Sequence, residues 1–177
     1  MHDYAASTIT IRRARVDDVR TIKELVDVYA GQVLLAKELV TLYEDVQEFW
    51  VAEATGDHPA RVVGCGALHV LWEDLAEIRT VAVDPVVKGR GVGHHLVDRL
   101  VALARELGLS RIFVLTFETA FFGRHGFAPI DGAPVTPEVY AEMRRSADTG
   151  VAEFLDLAHV KPNTLGNTRM LLHLTPW

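Results

Sequence analysis

The chain has 177 residues, 49% of them hydrophobic, which suits one domain, 1–177, built on one core and is short for two. Its net charge of -6, from 18 Lys and Arg against 24 Asp and Glu, comes with no basic cluster, so neither nucleic acid nor a membrane surface is the expected partner and a small molecule is. One cysteine, Cys65, cannot close an internal disulfide, the first fifteen residues lack an apolar leader and no run of 18 apolar residues occurs, so a soluble cytoplasmic protein is expected.

In chain order, Ile9 and Ile11 alternate with polar residues as in a short strand. Asp17 or Asp18 then caps a helix whose apolar residues Val19, Ile22, Leu25, Val26 and Tyr29 recur at helical spacing, with Gly31 as its stop. A second helix is predicted through Leu39, Leu42, Tyr43 and Val46. Phe49 to Ala54 and Val62 to Trp72 read as a hairpin across the Gly, Asp and Pro of Thr55 to Pro59. Ala76 to Val83 makes a further strand, ended by Asp84-Pro85.

Val92, Leu96, Val97, Leu100, Leu103, Ala104 and Leu107 mark a long amphipathic helix closed by Gly108, and Ile112 to Leu115 is a short apolar run of the buried parallel kind. Strand, helix and buried strand in succession form a crossover unit, so the sheet must be mixed α/β. A short helix from Thr119 to His125, a strand from Phe127, a helix from Pro137 to Arg145 and a final strand from Arg169 to Leu174 complete the prediction.

Lys88-Gly89-Arg90-Gly91-Val92-Gly93 stands between a strand and a helix start, where backbone N–H groups and the helix dipole favour an anion. The glycine spacing is not that of a dinucleotide fold, because His94 or Leu96 falls where the third glycine belongs, and no G-K-[ST] follows. By itself the segment reads equally as an ordinary flexible turn.

The stretch Val81-Ala82-Val83-Asp84-Pro85-Val86-Val87-Lys88-Gly89-Arg90-Gly91-Val92-Gly93 resembles the GNAT signature of a V-x-V-x-P strand followed by [QR]-x-x-G-x-[GA], with Lys88 in place of Gln or Arg. Phe121-Phe122-Gly123-Arg124-His125-Gly126-Phe127 resembles that superfamily's F-Y-x-x-x-G-F. The resemblance implies an α/β GNAT fold with a mixed central sheet of about seven strands, flanking helices and a splayed parallel pair that admits the arm of acetyl-CoA. It assigns Val81, Ala82 and Val83 to the arm, and Lys88, Gly89, Arg90, Gly91, Val92, Gly93 and His94 to the pyrophosphate, Lys88 mainly through its backbone N–H.

Gly64-Cys65-Gly66-Ala67-Leu68, Ala76-Glu77, Leu115-Thr116-Phe117-Glu118-Thr119 and Asn167-Thr168-Arg169-Met170-Leu171 further resemble blocks of amino-acid N-acetyltransferases, the N-acetylglutamate synthases. This implies acetylation of the α-amino group of glutamate or glutamine, the first step of arginine biosynthesis, and admits a homodimer. The long form of that family carries an amino-acid-kinase-like domain ahead of this one; it has no counterpart in this sequence, which leaves feedback by arginine an open question. Phe122 replaces the tyrosine that many relatives use to protonate the departing thiolate.

Attack of an amine on a thioester needs a base, an oxyanion donor and a placed acceptor. Glu77 is the candidate base, the alternative being an exposed or ion-paired carboxylate, and the backbone N–H of Val81 is the candidate oxyanion donor. Arg79, two residues from Glu77 on one strand face, is either a bidentate clamp for the α-carboxylate or the partner of an acid. Lys37, Lys161 and Arg169 are candidates for the acceptor's side-chain end, each weighed against a solvated surface cation. Adjacent His94 and His95 diverge on a helix, His69 and His125 read as structural, and no Cys/His spacing for zinc occurs, so no metal is expected. The other readings left by the sequence are acetylation of another small amine or a protein N-terminus, and a non-catalytic acyl-CoA sensor.

Overall fold

A computed structural model of the chain describes residues 7–30, 32, 34, 36–56, 58–157 and 166–176. Its elements are strand β1 (Thr8–Arg13), helices α1 (Val19–Tyr29) and α2 (Leu39–Glu44), strands β2 (Phe49–Thr55), β3 (Arg61–Trp72) and β4 (Leu75–Val83), helix α3 (Val92–Glu106), strand β5 (Arg111–Thr116), helix α4 (Thr119–Gly123), strand β6 (Ala128–Pro129), helices α5 (Pro137–Met143) and α6 (Thr149–Phe154), and strand β7 (Thr168–His173). The seven strands form one sheet in the order β1-β2-β3-β4-β5-β7-β6, parallel between β4 and β5 and antiparallel at β1–β2, β2–β3, β5–β7 and β6–β7. This is the mixed sheet that the crossover unit implied, with the seven strands and the parallel pair expected from the GNAT resemblance.

Two compact units share the chain, and β3 and β4 each contribute to both: one contains residues 1–69 and 78–106, the other 70–77 and 107–177. In the first, strand alternation sends side chains to opposite faces. Val51, Cys65 and Ala67 meet Val19, Ile22, Val26 and Leu42 of α1 and α2 in a buried core. On the other face Gly64 and Gly66 lie under α3: a Cβ on Gly64 would stand 3.1 Å from Val92 Cγ1 and 3.2 Å from Leu96 Cδ1, and one on Gly66 3.1 Å from Leu100 Cδ1. The glycines therefore set the distance between α3 and the sheet. In the second unit Leu71, Leu75, Phe113 and Leu171 bury Met143 of α5 and Val151, Phe154 and Leu155 at α6.

Three expectations change. The second helix ends at Glu44, and Val46 belongs to a separate 3-10 turn, Val46–Glu48. Asp18 precedes α1 but does not cap it; its carboxylate accepts from Arg15 N–H at 2.7 Å and from the Arg12 guanidinium at 2.7 and 3.0 Å. Helix α6 lies in a stretch where no element was predicted, with Asp148 as its cap. The stop assigned to Gly31 lies outside the described residues.

Candidate active site on strand β4 and its following loop

Strand β4 pairs with β5 at Leu75, Ala76 and Glu77, opposite Arg111, Ile112 and Phe113, and then runs on to Val83. Glu77, the last of the paired residues, is 7% exposed. Three residues on, Thr80 adopts φ of 60°, a conformation that a β-branched residue rarely takes and that costs on the order of 1 kcal/mol or more. The Cys65 thiol donates to Thr80 O at 3.5 Å. Carbonyl and N–H point opposite ways across a trans peptide, so the Val81 N–H faces away from Cys65. Burial pushes the Cys65 thiol up to about 12, so it remains a protonated donor.

The end of β4 is fixed by three contacts. Asp84 N–H donates to Val63 O of β3 at 2.8 Å, the Tyr29 hydroxyl donates to Val83 O at 2.6 Å, and Asp84 Oδ1 accepts from Val86 N–H at 3.0 Å. Asp84 also pairs with Arg61 at 3.1 Å. Burial, and then the nearby Asp84 charge, raise the Tyr29 hydroxyl pKa above the usual tyrosine value.

Beyond Asp84 a 3-10 turn, Pro85–Val87, leads into the glycine loop. Gly89 and Gly91 take φ of 85° and 77°, and a Cβ on either would meet no atom within 4 Å. Their requirement is thus conformational, and the space above them is open to a ligand whose oxygens approach the backbone. Helix geometry leaves the first N–H groups of α3, at Val92 and Gly93, without intrahelical partners beside the positive end of the dipole. Such a cradle of backbone N–H groups favours an anion. Val92 is nevertheless a core residue by its side chain, 2% exposed, and His94 lies in the first turn of α3. The Lys88 N–H, read in the sequence as a phosphate donor, closes the preceding turn on Pro85 O at 3.2 Å instead. The Arg90 N–H likewise bonds Val87 O at 3.3 Å, while its guanidinium reaches Ser7 O at 2.8 Å.

Of the acceptor candidates, Arg79 is 9% exposed and its guanidinium stands 3.6 Å from Glu48 Oε2; Glu48 Oε1 is 2.8 Å from His69 Nδ1. Arg79 thus has an acid beside it, the second of its two expected alternatives. Glu48, from the 3-10 turn ahead of β2, was not singled out in the sequence, where nothing links it to a residue 31 positions away. Arg169 in the second unit donates to Phe154 O at 2.6 Å, Glu153 O at 2.9 Å and Gly132 O at 3.2 Å. Its Nη atoms donate to two carbonyls at the C-terminal end of α6 and to one at Gly132. Lys37 is half-buried two residues before α2, and Lys161 falls outside the described residues.

Phe122 is buried, edge-on to Phe121 and Phe127 at 5.0 and 5.4 Å, so the aromatic signature is a local core. In the second unit a pocket of about 450 Å³ opens among Trp72, Asp74, Arg111, Pro134 and Thr136; none of the described candidate site residues lines it. No group of three metal-binding side chains occurs among the described residues, and none of their helices is long and apolar enough to cross a membrane.

The profile of the acetyltransferase (GNAT) family matches residues 20–127. The chain is 68% identical over 167 residues to the amino-acid acetyltransferase of Mycobacterium tuberculosis, covering 93% of this chain and 94% of that protein. It is 34% identical over 122 residues to the amino-acid acetyltransferase of Pseudomonas putida, of which it covers only 27%. Among solved structures it is similar to Rv2747 of M. tuberculosis in complex with CoA and NLQ, at a TM-score of 0.90 and 67% identity, covering 94% of this chain and 99% of that one. It shares the fold of N-acetylglutamate synthase from Neisseria gonorrhoeae, with a TM-score of 0.73 at 24% identity over 96% of this chain and 36% of that one. The distorted strand, the glycine cradle that follows it and these matches together establish that the chain belongs to the GNAT acetyltransferase family.

Proposed function

We propose that the chain is an amino-acid N-acetyltransferase that moves the acetyl group of acetyl-CoA to the α-amino group of L-glutamate or L-glutamine, working in the cytoplasm at the entry to arginine biosynthesis. The observation that carries this reading is β4, where a buried carboxylate, a left-handed residue and an oriented backbone N–H follow one another within five positions. The 68% identical M. tuberculosis amino-acid acetyltransferase supports the reaction class, and the CoA of the Rv2747 complex supports the donor.

Acetyl-CoA supplies an acetyl group already activated as a thioester. Glu77 accepts the proton that the acceptor's ammonium must lose, directly or through water, and so frees the lone pair that forms the new C–N bond as the C–S bond breaks. The Val81 N–H faces the charge that develops on the thioester oxygen. Gly89, Gly91, Val92 and Gly93 hold the pyrophosphate through their backbone. Arg79 takes the acceptor's α-carboxylate in competition with Glu48, and Lys37 and Lys161 are assigned to the far end of the acceptor. Phe122 offers no proton, so the departing thiolate is protonated by water.

The test is coenzyme A release with glutamate, glutamine and 4-aminobutyrate, which lacks the α-carboxylate. Glutamate or glutamine should be acetylated and 4-aminobutyrate should lose roughly 100-fold or more in kcat/KM, because it forgoes the charge-assisted contact that an α-carboxylate makes with Arg79. Arg79→Lys should erase that preference, and Glu77→Gln should lower turnover by roughly two to four orders of magnitude with acetyl-CoA affinity retained. Turnover confined to a polyamine or a peptide would overturn the acceptor, and unchanged turnover in Glu77→Gln would overturn the base.

A further inference from the structure

Strand β4 presents backbone groups at the edge that faces away from β3, and their arrangement can be read from two hydrogen bonds. Asp84 N–H points to Val63 O, so the carbonyl at the other end of the same trans peptide, Val83 O, points away from β3. Groups two residues apart on a strand share an edge, so Val81 and Val83 both direct N–H and C=O outward there. A ligand with amide groups that lies along such an edge pairs as an added strand would, and slippage by two residues presents it with an equivalent set of partners. One of the two outward carbonyls is already occupied. The Tyr29 hydroxyl reaches across 54 residues of sequence from the end of α1 and donates to Val83 O at 2.6 Å.

We propose that Tyr29 is a positioning residue that sets the register of the pantetheine arm on β4: by occupying Val83 O it leaves Val81 O as the acceptor for the arm's amide N–H. The proposal rests on acetyl-CoA being the donor. Burial and the Asp84 charge raise the pKa of the hydroxyl, so it is the protonated, donating form at neutral pH. The consequence is geometric. A slip of two residues displaces the arm, and the thioester with it, by about 6.6 Å along the strand while the arm remains bound. Tyr29 therefore acts on where the acyl group lies more than on how tightly the cofactor is held.

Tyr29→Phe removes the hydroxyl and keeps the ring. It should lower kcat about tenfold, as expected for a misplaced reactant, and raise coenzyme A release without acceptor, while the acetyl-CoA dissociation constant moves less than about threefold. A merely structural role would lower affinity and melting temperature and leave kcat and coupling intact, and that result overturns the proposal. A second measurement needs no variant: in carbon-13 and nitrogen-15 labelled wild type, titration with coenzyme A should shift the carbonyl carbon of Val81 and leave that of Val83 in place. A shift at Val83 alone overturns the proposal even if Tyr29→Phe does not fold. Wild type that fails to bind acetyl-CoA at all would defeat the functional reading itself, whereas normal binding with an unaffected Tyr29→Phe would defeat only the register.

Discussion

The loop from Lys88 to Gly93 and the arginine at position 169 both offer positive potential, through different atoms. The loop offers backbone N–H groups, fixed by two glycines in left-handed conformations, with open space above each. Arg169 offers a guanidinium, and three carbonyls of its own unit have taken it. A backbone donor is available wherever the conformation leaves it unpaired, whereas a cationic side chain is available only after its neighbours have been satisfied. Even within the loop the rule is selective, since the Lys88 and Arg90 N–H groups are spent on turns.

The sharpest way to break this comparison is at Gly91. Gly91→Asp forces a side chain into a left-handed position and places a carboxylate where the pyrophosphate charge would lie, so acetyl-CoA affinity should fall by roughly 100-fold or more. Circular dichroism should show the fold retained, because nothing in the protein lies within 4 Å of the added Cβ. Unchanged affinity by calorimetry would move the cofactor away from the loop.

Arg169→Ala tests the other side of it. Loss of three charge-assisted hydrogen bonds at a partly buried position should cost about 2 kcal/mol, a fall in Tm of roughly 4 to 8 °C, with the acceptor KM nearly unchanged. A large rise in acceptor KM with no loss of Tm would return Arg169 to the site.

The smallest effect concerns a third cation, Arg12, held between Asp18 and Glu53 at 2.7 Å each. Burial opposes ionisation of Asp18, yet the hydrogen bonds from Arg12 and Arg15 N–H leave its carboxyl below the usual range; the Arg12 hydrogen bond does the same for Glu53. Carboxyls whose pKa is depressed on folding add stability above their unfolded values of 3.8 and 4.5, and that stability is lost as pH falls through the lower folded values. The stability difference between wild type and Arg12→Met should therefore be full, about 1 kcal/mol, above pH ~5 and shrink on acidification; a difference independent of pH would show that packing, and not charge, is what Arg12 contributes.

The elements that carried strong periodicity were legible in the sequence. The apolar stripe from Val92 to Ala104, the hairpin from Phe49 to Trp72 and the buried run at Ile112 all lie where they were read, because a face that meets the core must repeat at the period of its element. Helix α6 was not, since six residues give too few turns for a stripe, and its signal is one capping side chain, Asp148, which accepts from Val151 N–H at 3.0 Å. In the candidate site, the glycines at 89 and 91 were legible because conformation is a local property. The partner of Arg79 was not, because Glu48 comes from a turn ahead of β2 and meets it only in the folded chain. Tyr29 was read as one more apolar residue of its helix stripe; the hydroxyl's role at β4 has no local signal.

The close seating of α3 on Gly64 bears on the entropy of binding. Val92 and Leu96 rest 3.1 and 3.2 Å from where a Cβ of Gly64 would be, so the first turn of the helix, and with it the end of the glycine loop, is immobilised by the core. The conformational freedom of that segment is then surrendered when the protein folds, not when a ligand arrives. Each residue ordered in advance spares about 1 to 2 kcal/mol at association, so a phosphate bound here keeps most of the free energy of its hydrogen bonds as affinity.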